Sequence, residues 1–246
     1  MQLRVLILLL LMTLTTQAPA ETGRLARSRQ CLVVTATDWE SKTGTLRSFE
    51  RAGNGWTMHG AEIPVVLGKN GLGWGLGLVA IKNAPGPQKI EGDNKAPAGV
   101  FKLGPAFGYA PRPDARWIKL SYVPLKKETE GVDDPRSRYY NQLVDRSKVA
   151  KVDWHSSEQM LRNDNLYKWG VVVKHNPAAQ PGAGSCIFMH IWKNSRAATV
   201  GCTAMPEKDL ISILRWLDPG ARPILVQMPR RDYGELQSKL ALPTLR

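Results

Sequence analysis

The sequence predicts a single domain of the α+β class, rich in β-structure. Short apolar runs with many β-branched residues recur at close intervals, and glycine or proline separates most of them. Only one segment, late in the chain, has the apolar spacing of a packed helix. With 246 residues, 43% of them hydrophobic, the chain is long enough to enclose one sizeable core.

The first half of the chain predicts strands joined by tight turns. Residues 31–35 form an apolar run typical of a buried strand. Residues 46–51 and 55–58 flank Gly53-Asn54-Gly55, and an Asn-Gly pair supplies the positive φ angles of a hairpin turn. Residues 63–67 predict a further strand.

The second half adds more strands and the packed helix. Pro206 suits the first turn of a helix because it has no N–H to leave unbonded. Four apolar residues at helical spacing predict the buried stripe of that helix: Leu210, Ile213, Leu214 and Leu217. Four further apolar runs predict strands: residues 100–103, 117–123, 171–175 and 223–228. Residues 232–240 suit a short amphipathic tail helix.

The chain begins like a secretory signal peptide, residues 1–20. Arg4 precedes the apolar residues 5–14, and Ala18-Pro19-Ala20 provides a small-x-small cleavage site. A retained anchor is the alternative, but about ten apolar residues are too few to span roughly 30 Å of hydrocarbon. We therefore expect cleavage, no transmembrane segment in the mature chain, and a protein exported to the periplasm or cell-wall space.

Composition divides the rest of the chain. Residues 21–30 are polar and predict a linker, residues 31–229 predict the folded domain, and residues 230–246 a C-terminal tail. Within the domain, residues 126–165 form an unusually polar insertion. A loop of that length is usually functional or disordered.

The chain is strongly cationic, since 34 lysine and arginine residues against 21 aspartate and glutamate residues give a formal net charge of +13. An exported protein with this charge is expected to bind anionic surfaces such as cell-wall carboxylates. Nucleic acid is the other usual partner of such charge. The export signal and the lack of helix-turn-helix, zinc-finger or RNP-like patterns in the sequence argue against it.

The sequence indicates neither a metal nor a cofactor. Its four histidines show no ligand spacing with the cysteines. The glycine-rich residues 69–77 lack the Lys-Ser/Thr of a nucleotide loop, and Trp74 within them is a candidate to bind substrate beside a site or to pack over it. The chain has three cysteines, Cys31, Cys186 and Cys202, so at least one thiol stays unpaired in an oxidising compartment. Whether the first two form a disulfide is left open by the sequence.

One stretch, residues 184–205, combines two residues of chemical interest. It predicts strand, loop and strand, with His190 near the end of the first strand and Cys202 in the second, 12 positions later. Side chains of neighbouring strands meet on one face of a sheet, so the imidazole and the thiol are within reach of each other. A buried cysteine beside a core histidine would give the same pattern.

A thiol beside an imidazole carries out covalent acyl transfer. The thiol, with an ordinary pKa of roughly 8.5, needs the imidazole, with a pKa of roughly 6.5, to become the thiolate that attacks a carbonyl. Cys202 is therefore the candidate nucleophile and His190 the general acid and base. Gly201 leaves the backbone uncovered beside the nucleophile, so N–H groups there are candidates to stabilise an oxyanion.

Substrate-binding candidates lie close to this pair and in the insertion. Trp192 follows His190 by two positions. In the insertion, Arg138, Tyr139 and Tyr140 belong to a cluster that suits a carboxylate-bearing peptide, because arginine forks pair with carboxylates. The alternative is a solvated face with the tyrosines packed beneath it.

Two motifs resemble the signatures of the L,D-transpeptidase catalytic domain family (YkuD-type). The first is His190-Ile191-Trp192 followed by Thr199-Val200-Gly201-Cys202, where the family has a histidine and then a Ser/Thr-x-Gly-Cys turn. The second, residues 91–101, is similar to the family's Thr-Pro-x-Gly-x-Phe turn at the start of a strand. The resemblance covers most of the mature chain. Three positions differ from the common pattern, which indicates a divergent branch: Ala96, Val200 and Ala204.

The resemblance implies a β-sandwich-like fold and a peptidoglycan enzyme that uses no cofactor. Cys202 would attack a carbonyl of a stem peptide to form a thioester. An amine of a neighbouring stem would then accept the acyl group. The resulting cross-link would join the third residues of two stem peptides, or the first residue of one and the third residue of the other. Three other functions stay open: a peptidoglycan hydrolase (L,D-carboxypeptidase) in which water is the acceptor, a non-catalytic wall-binding module, and a cysteine protease.

Overall fold

A computed structural model of the protein describes residues 25–53, 55–81 and 85–245. The predicted signal peptide, residues 21–24 of the predicted linker, and Asn54 at the predicted hairpin turn lie outside these ranges. Within them β-strands predominate over helices, which confirms the prediction of a mostly β protein.

The strands, in chain order, are β1 (Gln30–Ala36), β2 (Thr43–Ala52), β3 (Gly55–Val66), β4 (Leu72–Trp74), β5 (Ala96–Gly108), β6 (Tyr122–Pro124), β7 (Thr129–Val132), β8 (Gln142–Asp145), β9 (Ser157–Gln159), β10 (Trp169–Val173), β11 (Phe188–Ile191), β12 (Thr203–Met205) and β13 (Ile224–Pro229). The main sheet runs β10-β11-β12-β3-β2-β1-β13-β5-β4, with β6 beside β5. Because β10 also pairs with β5, this sheet closes on itself like a barrel.

The predicted hairpin is confirmed. Strands β2 and β3 pair antiparallel, with Ala52 opposite Gly55 across the turn. The strand predicted at residues 63–67 is the far end of the same β3. Strand β1 is fully buried, since it lies between β2 on one side and β13, parallel to it, on the other.

The described part of the predicted linker is packed, so that prediction is wrong for residues 25–30. Leu25 is buried in the main core, and Arg29 N–H donates to the Ala221 carbonyl at 2.7 Å. Gln30 already belongs to β1. The sequence did not predict this packing, because a single leucine among polar and charged residues shows no hydrophobic periodicity.

The polar insertion is folded rather than a long loop. Strands β7, β8 and β9 form a separate three-stranded sheet in the order β8-β7-β9. One face of this small sheet packs its own apolar cluster, which contains Val132, Val144 and Trp154. Leu143 and Met160 belong instead to a cluster shared with the main sheet. The insertion therefore lies against the region of His190 and Cys202.

Helix α1 (Glu207–Trp216) begins directly after Pro206 and buries three residues of the predicted stripe: Leu210, Ile213 and Leu214. Helix α2 (Arg230–Gln237) follows β13, and its buried Tyr233 donates a hydrogen bond to the Pro243 carbonyl at 2.7 Å. Among the described residues, neither these nor any other helix combines the length and apolar character needed to cross a bilayer.

Candidate active site

His190 lies in β11, and Cys202 directly precedes β12, the neighbouring parallel strand. In the register of β11 and β12, His190 is opposite Ala204, and Cys202 comes one residue before β12 begins. Since side chains alternate along a strand, Cys202 and Ala204 point to the same face, which is also the face of His190. The register thus puts the two side chains in diagonal positions on one face of the sheet.

The hydrogen bonding of His190 defines which nitrogen is basic. Its Nδ1 lies 2.7 Å from the backbone oxygen of Ile191. A carbonyl oxygen only accepts hydrogen bonds, so Nδ1 carries the hydrogen and Nε2 of the neutral ring is left as the base. In the part of the chain that the structure describes, no hydrogen bond joins His190 to Cys202. The thiol Sγ instead accepts from Phe188 N–H at 3.4 Å.

Burial keeps both groups neutral. Cys202 is 4% and His190 6% exposed. Burial raises the pKa of Cys202 to about 12 and lowers that of His190 to about 4. The resting pair is therefore a thiol and a neutral imidazole, not the thiolate that the sequence led us to expect.

An apolar cover explains this burial. Cys202 belongs to a cluster, here called the nucleophile cluster, whose other buried members are Phe107, Leu125, Met160, Tyr167 and Phe188. The Tyr167 ring also stands edge-on to the His190 imidazole, with centroids 5.0 Å apart. Met160, and Leu143 packed beside it, come from the insertion. The insertion thus excludes water from the thiol.

The turn before Cys202 is held by Thr199. Gly201 has a φ of +149°, in the region that favours glycine. Its N–H donates to Thr199 Oγ1 at 3.1 Å, and that hydroxyl donates to the Cys202 carbonyl at 2.6 Å. The Gly201 N–H is therefore already engaged, which argues against the oxyanion role predicted for it.

Side chains of the insertion anchor it beside the site. The Asn141 side chain accepts from Cys186 N–H and donates to the carbonyls of His175 and Asn176, each at 2.9 Å. These acceptors and donors lie in the segment that connects β10 to β11. The insertion is thus tied to the backbone leading into the strand of His190.

The insertion residues predicted to bind substrate have structural partners. Arg138 is exposed and donates to the Asp153 carboxylate at 2.8 Å. Tyr139 packs edge-on to Trp154 within the insertion, with centroids 5.5 Å apart. Tyr140 is buried, and its hydroxyl donates to Glu91. These contacts match the alternative reading, a solvated face with tyrosines packed beneath it.

The two tryptophan candidates differ. Trp74 is buried in β4, packs edge-on to Trp39 with centroids 4.9 Å apart, and donates from Nε1 to the Pro85 carbonyl at 2.9 Å. It is a core residue and not a substrate contact, because both its ring and its N–H are engaged. Trp192 is partly buried directly after β11, and its N–H donates to the Met205 carbonyl at 2.9 Å. It remains a candidate beside His190.

Two residues near the thiol were missed from the sequence. Tyr167 precedes β10, and its hydroxyl donates to Glu158 Oε1 at 2.7 Å. Burial, followed by the charges of Cys202 and Glu158, raises the pKa of Tyr167 well above its usual value. Strand β9, which carries Glu158, has three residues and is too short for an alternating pattern. No signal in the sequence singles these residues out.

The three cysteines are free thiols. Cys31 lies in the main core, whereas Cys186 packs against the nucleophile cluster, so the disulfide left open in the sequence is not formed. Among the described residues, no group of three His, Cys, Asp or Glu side chains is placed to hold a metal ion.

Comparisons with known proteins agree with the motifs. The family model described as the L,D-transpeptidase catalytic domain (YkuD) matches residues 40–226. No curated protein matches the chain. The crystal structure of the helical cell shape determining protein Pgp2 from Campylobacter jejuni is similar at 14% identity and a TM-score of 0.39, over 87% of this chain and 55% of that one. A variant of Pgp2 gives 13% identity and a TM-score of 0.36 over the same shares. The chain thus spans about half the length of these solved structures.

Proposed function

Because the chain belongs to the L,D-transpeptidase catalytic domain family, we propose that it is an exported peptidoglycan L,D-transpeptidase in which Cys202 and His190 carry the acyl transfer. The observation that supports this most directly is the hydrogen bond from His190 Nδ1 to the Ile191 carbonyl, 2.7 Å long. It leaves Nε2 as a base on the face of the sheet that also carries the Cys202 thiol.

In the first half of the reaction, His190 Nε2 takes the proton of the Cys202 thiol as Sγ attacks a carbonyl of a stem peptide. The C–S bond forms, the peptide C–N bond breaks, and the protonated imidazole gives its proton to the leaving amine. The product is a thioester on Cys202. Since the N–H of Gly201 is engaged by Thr199, the N–H of Cys202 is the proposed donor to the oxyanion.

In the second half, an amine of a neighbouring stem attacks the thioester and restores the thiol. Hydrolysis by water, as in an L,D-carboxypeptidase, would use the same two residues. The apolar side chains around Cys202, among them Met160 and Phe188, favour the amine because they keep water from the sulfur. The neutral resting thiol is consistent with such a dry site.

The charge of the protein supports a role at the wall. Its formal net charge of +13 favours adsorption to an anionic polymer. Together with the predicted signal peptide, this leads us to propose the periplasm or cell-wall space as its location. No cofactor enters the proposed mechanism, because the thioester conserves the energy of the broken amide bond.

The test is mass spectrometry of disaccharide-peptide stems incubated with the purified protein and with three variants. We expect stem dimers with the unmodified protein and with Cys31→Ala, which removes a thiol from the distant main core. Cys202→Ala and His190→Ala should give none. Fragmentation of the dimers identifies the joined residues.

Each other outcome points to a different function. Shortened monomers without dimers would show the hydrolase. Stems unchanged by the unmodified protein would leave a wall-binding module, and cleavage of ordinary all-L peptides would show a protease. Dimers formed equally by Cys202→Ala would contradict the assignment of the nucleophile.

A further inference from the structure

The carboxylate of Glu158 faces the thiol side of the insertion. In the small sheet Glu158 is opposite Gly131, and cross-strand partners point to the same face. A Cβ atom at Gly131 would lie 3.2 Å from Cys186 Sγ and 3.4 Å from Met160 Sδ. Met160, two residues after Glu158, shares this face and belongs to the nucleophile cluster. Glu158 thus lies on the face of the small sheet that also carries Gly131, Leu143 and Met160 and contacts the nucleophile cluster.

Both hydrogen bonds to this carboxylate use one oxygen. Oε1 accepts from the Tyr167 hydroxyl at 2.7 Å and from Arg162 at 3.1 Å. No residue in the described ranges donates to Oε2. The side chain is 27% exposed, so the carboxylate is fixed by Tyr167 on one side and open to a ligand on the other.

The charge of Glu158 opposes the chemistry of the thiol. After burial, its negative charge makes the largest contribution to raising the pKa of Cys202. Arg162 does not cancel this charge, because its guanidinium also pairs with the Asp164 carboxylate, with Nη2 2.5 Å from Oδ2. Arg162, Asp164 and Glu158 together carry one negative charge. A negative charge at this position destabilises both a thiolate and an oxyanion. Its presence is explained if the site must bind a cation.

We propose that Glu158 binds the ammonium group of the acyl acceptor and takes a proton from it. This inference rests on the proposed function and gives Glu158 the task of holding and deprotonating its amine acceptor. The ammonium gives one proton to Glu158 Oε2 and becomes a nucleophilic amine. Its nitrogen forms the C–N bond as the C–S bond to Cys202 breaks. The second proton passes through His190 Nε2 to the departing sulfur, and Glu158 releases its proton to solvent.

The test compares two small acceptors that differ in charge. The full chain is acylated with a disaccharide-peptide stem, and the decay of the acyl-enzyme is followed by intact-protein mass spectrometry with methylamine, a cation at neutral pH, or hydroxylamine, which is largely neutral there. In Glu158→Gln we expect transfer to methylamine to fall roughly 100-fold, a typical loss for a missing general base, while transfer to hydroxylamine changes less than about twofold.

Two variants serve as controls. Glu130→Gln removes a carboxylate from a neighbouring strand of the same sheet, where Glu130 bonds Trp154 and Ser157, and should keep the wild-type ratio of the two rates. Glu158→Asp keeps the charge and should retain most of the preference for methylamine. The ratio is independent of how much of a variant is folded.

Equal losses with both acceptors, or no loss with either, would overturn the role of Glu158 while the acyl-enzyme still supports the proposed function. If the unmodified protein forms no acyl-enzyme with any stem, both proposals fail. The two failures are therefore distinguishable within one experiment.

Discussion

The side-chain oxygen of Asn141 accepts a hydrogen bond from the backbone N–H of Cys186 at 2.9 Å. The bond joins the insertion to the segment that enters β11 and hence to the strand of His190. The Asn141 amide also donates to the His175 and Asn176 carbonyls, so its hydrogen-bonding groups are all directed to this one segment. The insertion that covers the candidate active site and the segment that leads to His190 are therefore joined through one asparagine.

Asn141→Gly should loosen the insertion without unfolding the main sheet. Asn141 has a φ of +62°, which glycine adopts without strain, so the variant isolates the loss of three hydrogen bonds. At about 1 kcal/mol net for each bond, the insertion should lose roughly 3 kcal/mol, equivalent to about 150-fold less protection from hydrogen exchange in β7 and β8.

The matched control is Asn165→Gly. Asn165 has a φ of +59° and makes no side-chain hydrogen bond within the described part of the chain. In Asn165→Gly, protection of β7 and β8 from hydrogen exchange should equal that in the unmodified protein. Equal loss of protection in both variants would show that the asparagine side chain does not hold the insertion.

Local signals in the sequence were sufficient for the large strands and for placing His190 and Cys202 on neighbouring segments of one sheet. Apolar runs gave β1 and β10, and the Asn-Gly pair gave the hairpin of β2 and β3. The common face of His190 and Cys202 followed from strand alternation. The family resemblance is confirmed by the match over residues 40–226.

What the sequence did not disclose depends on contacts between distant segments. The strands of the insertion have only three or four residues, which is too short for a detectable alternation. The neutral state of Cys202 results from burial by residues such as Leu125 and Met160, far from it in the chain. The same holds for Glu158, whose position follows from the register of the small sheet.

Met160→Ala should expose the nucleophile to alkylation. Met160 is fully buried in the nucleophile cluster, and its removal opens a space beside Cys202. We expect the alkylation of Cys202 by iodoacetamide, followed by peptide mapping, to become at least about tenfold faster, since a locally opened cover costs less than global unfolding. Met58→Ala, at an exposed position of β3, is the control. An unchanged rate in Met160→Ala would show that the insertion does not limit access.

The protein should lose stability as the pH falls from about 6.5 to about 4. Burial lowers the pKa values of His175 and His190 to about 4, below the value of 6.5 expected in the unfolded chain. Above pH 6.5 both states hold neutral imidazoles. Below it the unfolded chain binds protons that the folded protein does not, so the free energy of unfolding falls by up to about 1.4 kcal/mol per pH unit for each histidine until the folded pKa is reached.

The assignment of this acid sensitivity to the two histidines is tested by urea unfolding. The free energy of unfolding is measured at intervals between pH 7.5 and pH 4 for the unmodified protein and for His175→Gln. His175 donates from Nε2 to the Ala183 carbonyl at 2.8 Å, a bond that a glutamine amide can replace. In the variant, the contribution of the two histidines to the slope of the unfolding free energy against pH should fall by close to half. Only His190 then remains to bind an extra proton on unfolding. His155→Gln controls for loss of an exposed histidine and should keep the full slope. An identical slope in His175→Gln and the unmodified protein would show that the acid sensitivity arises elsewhere.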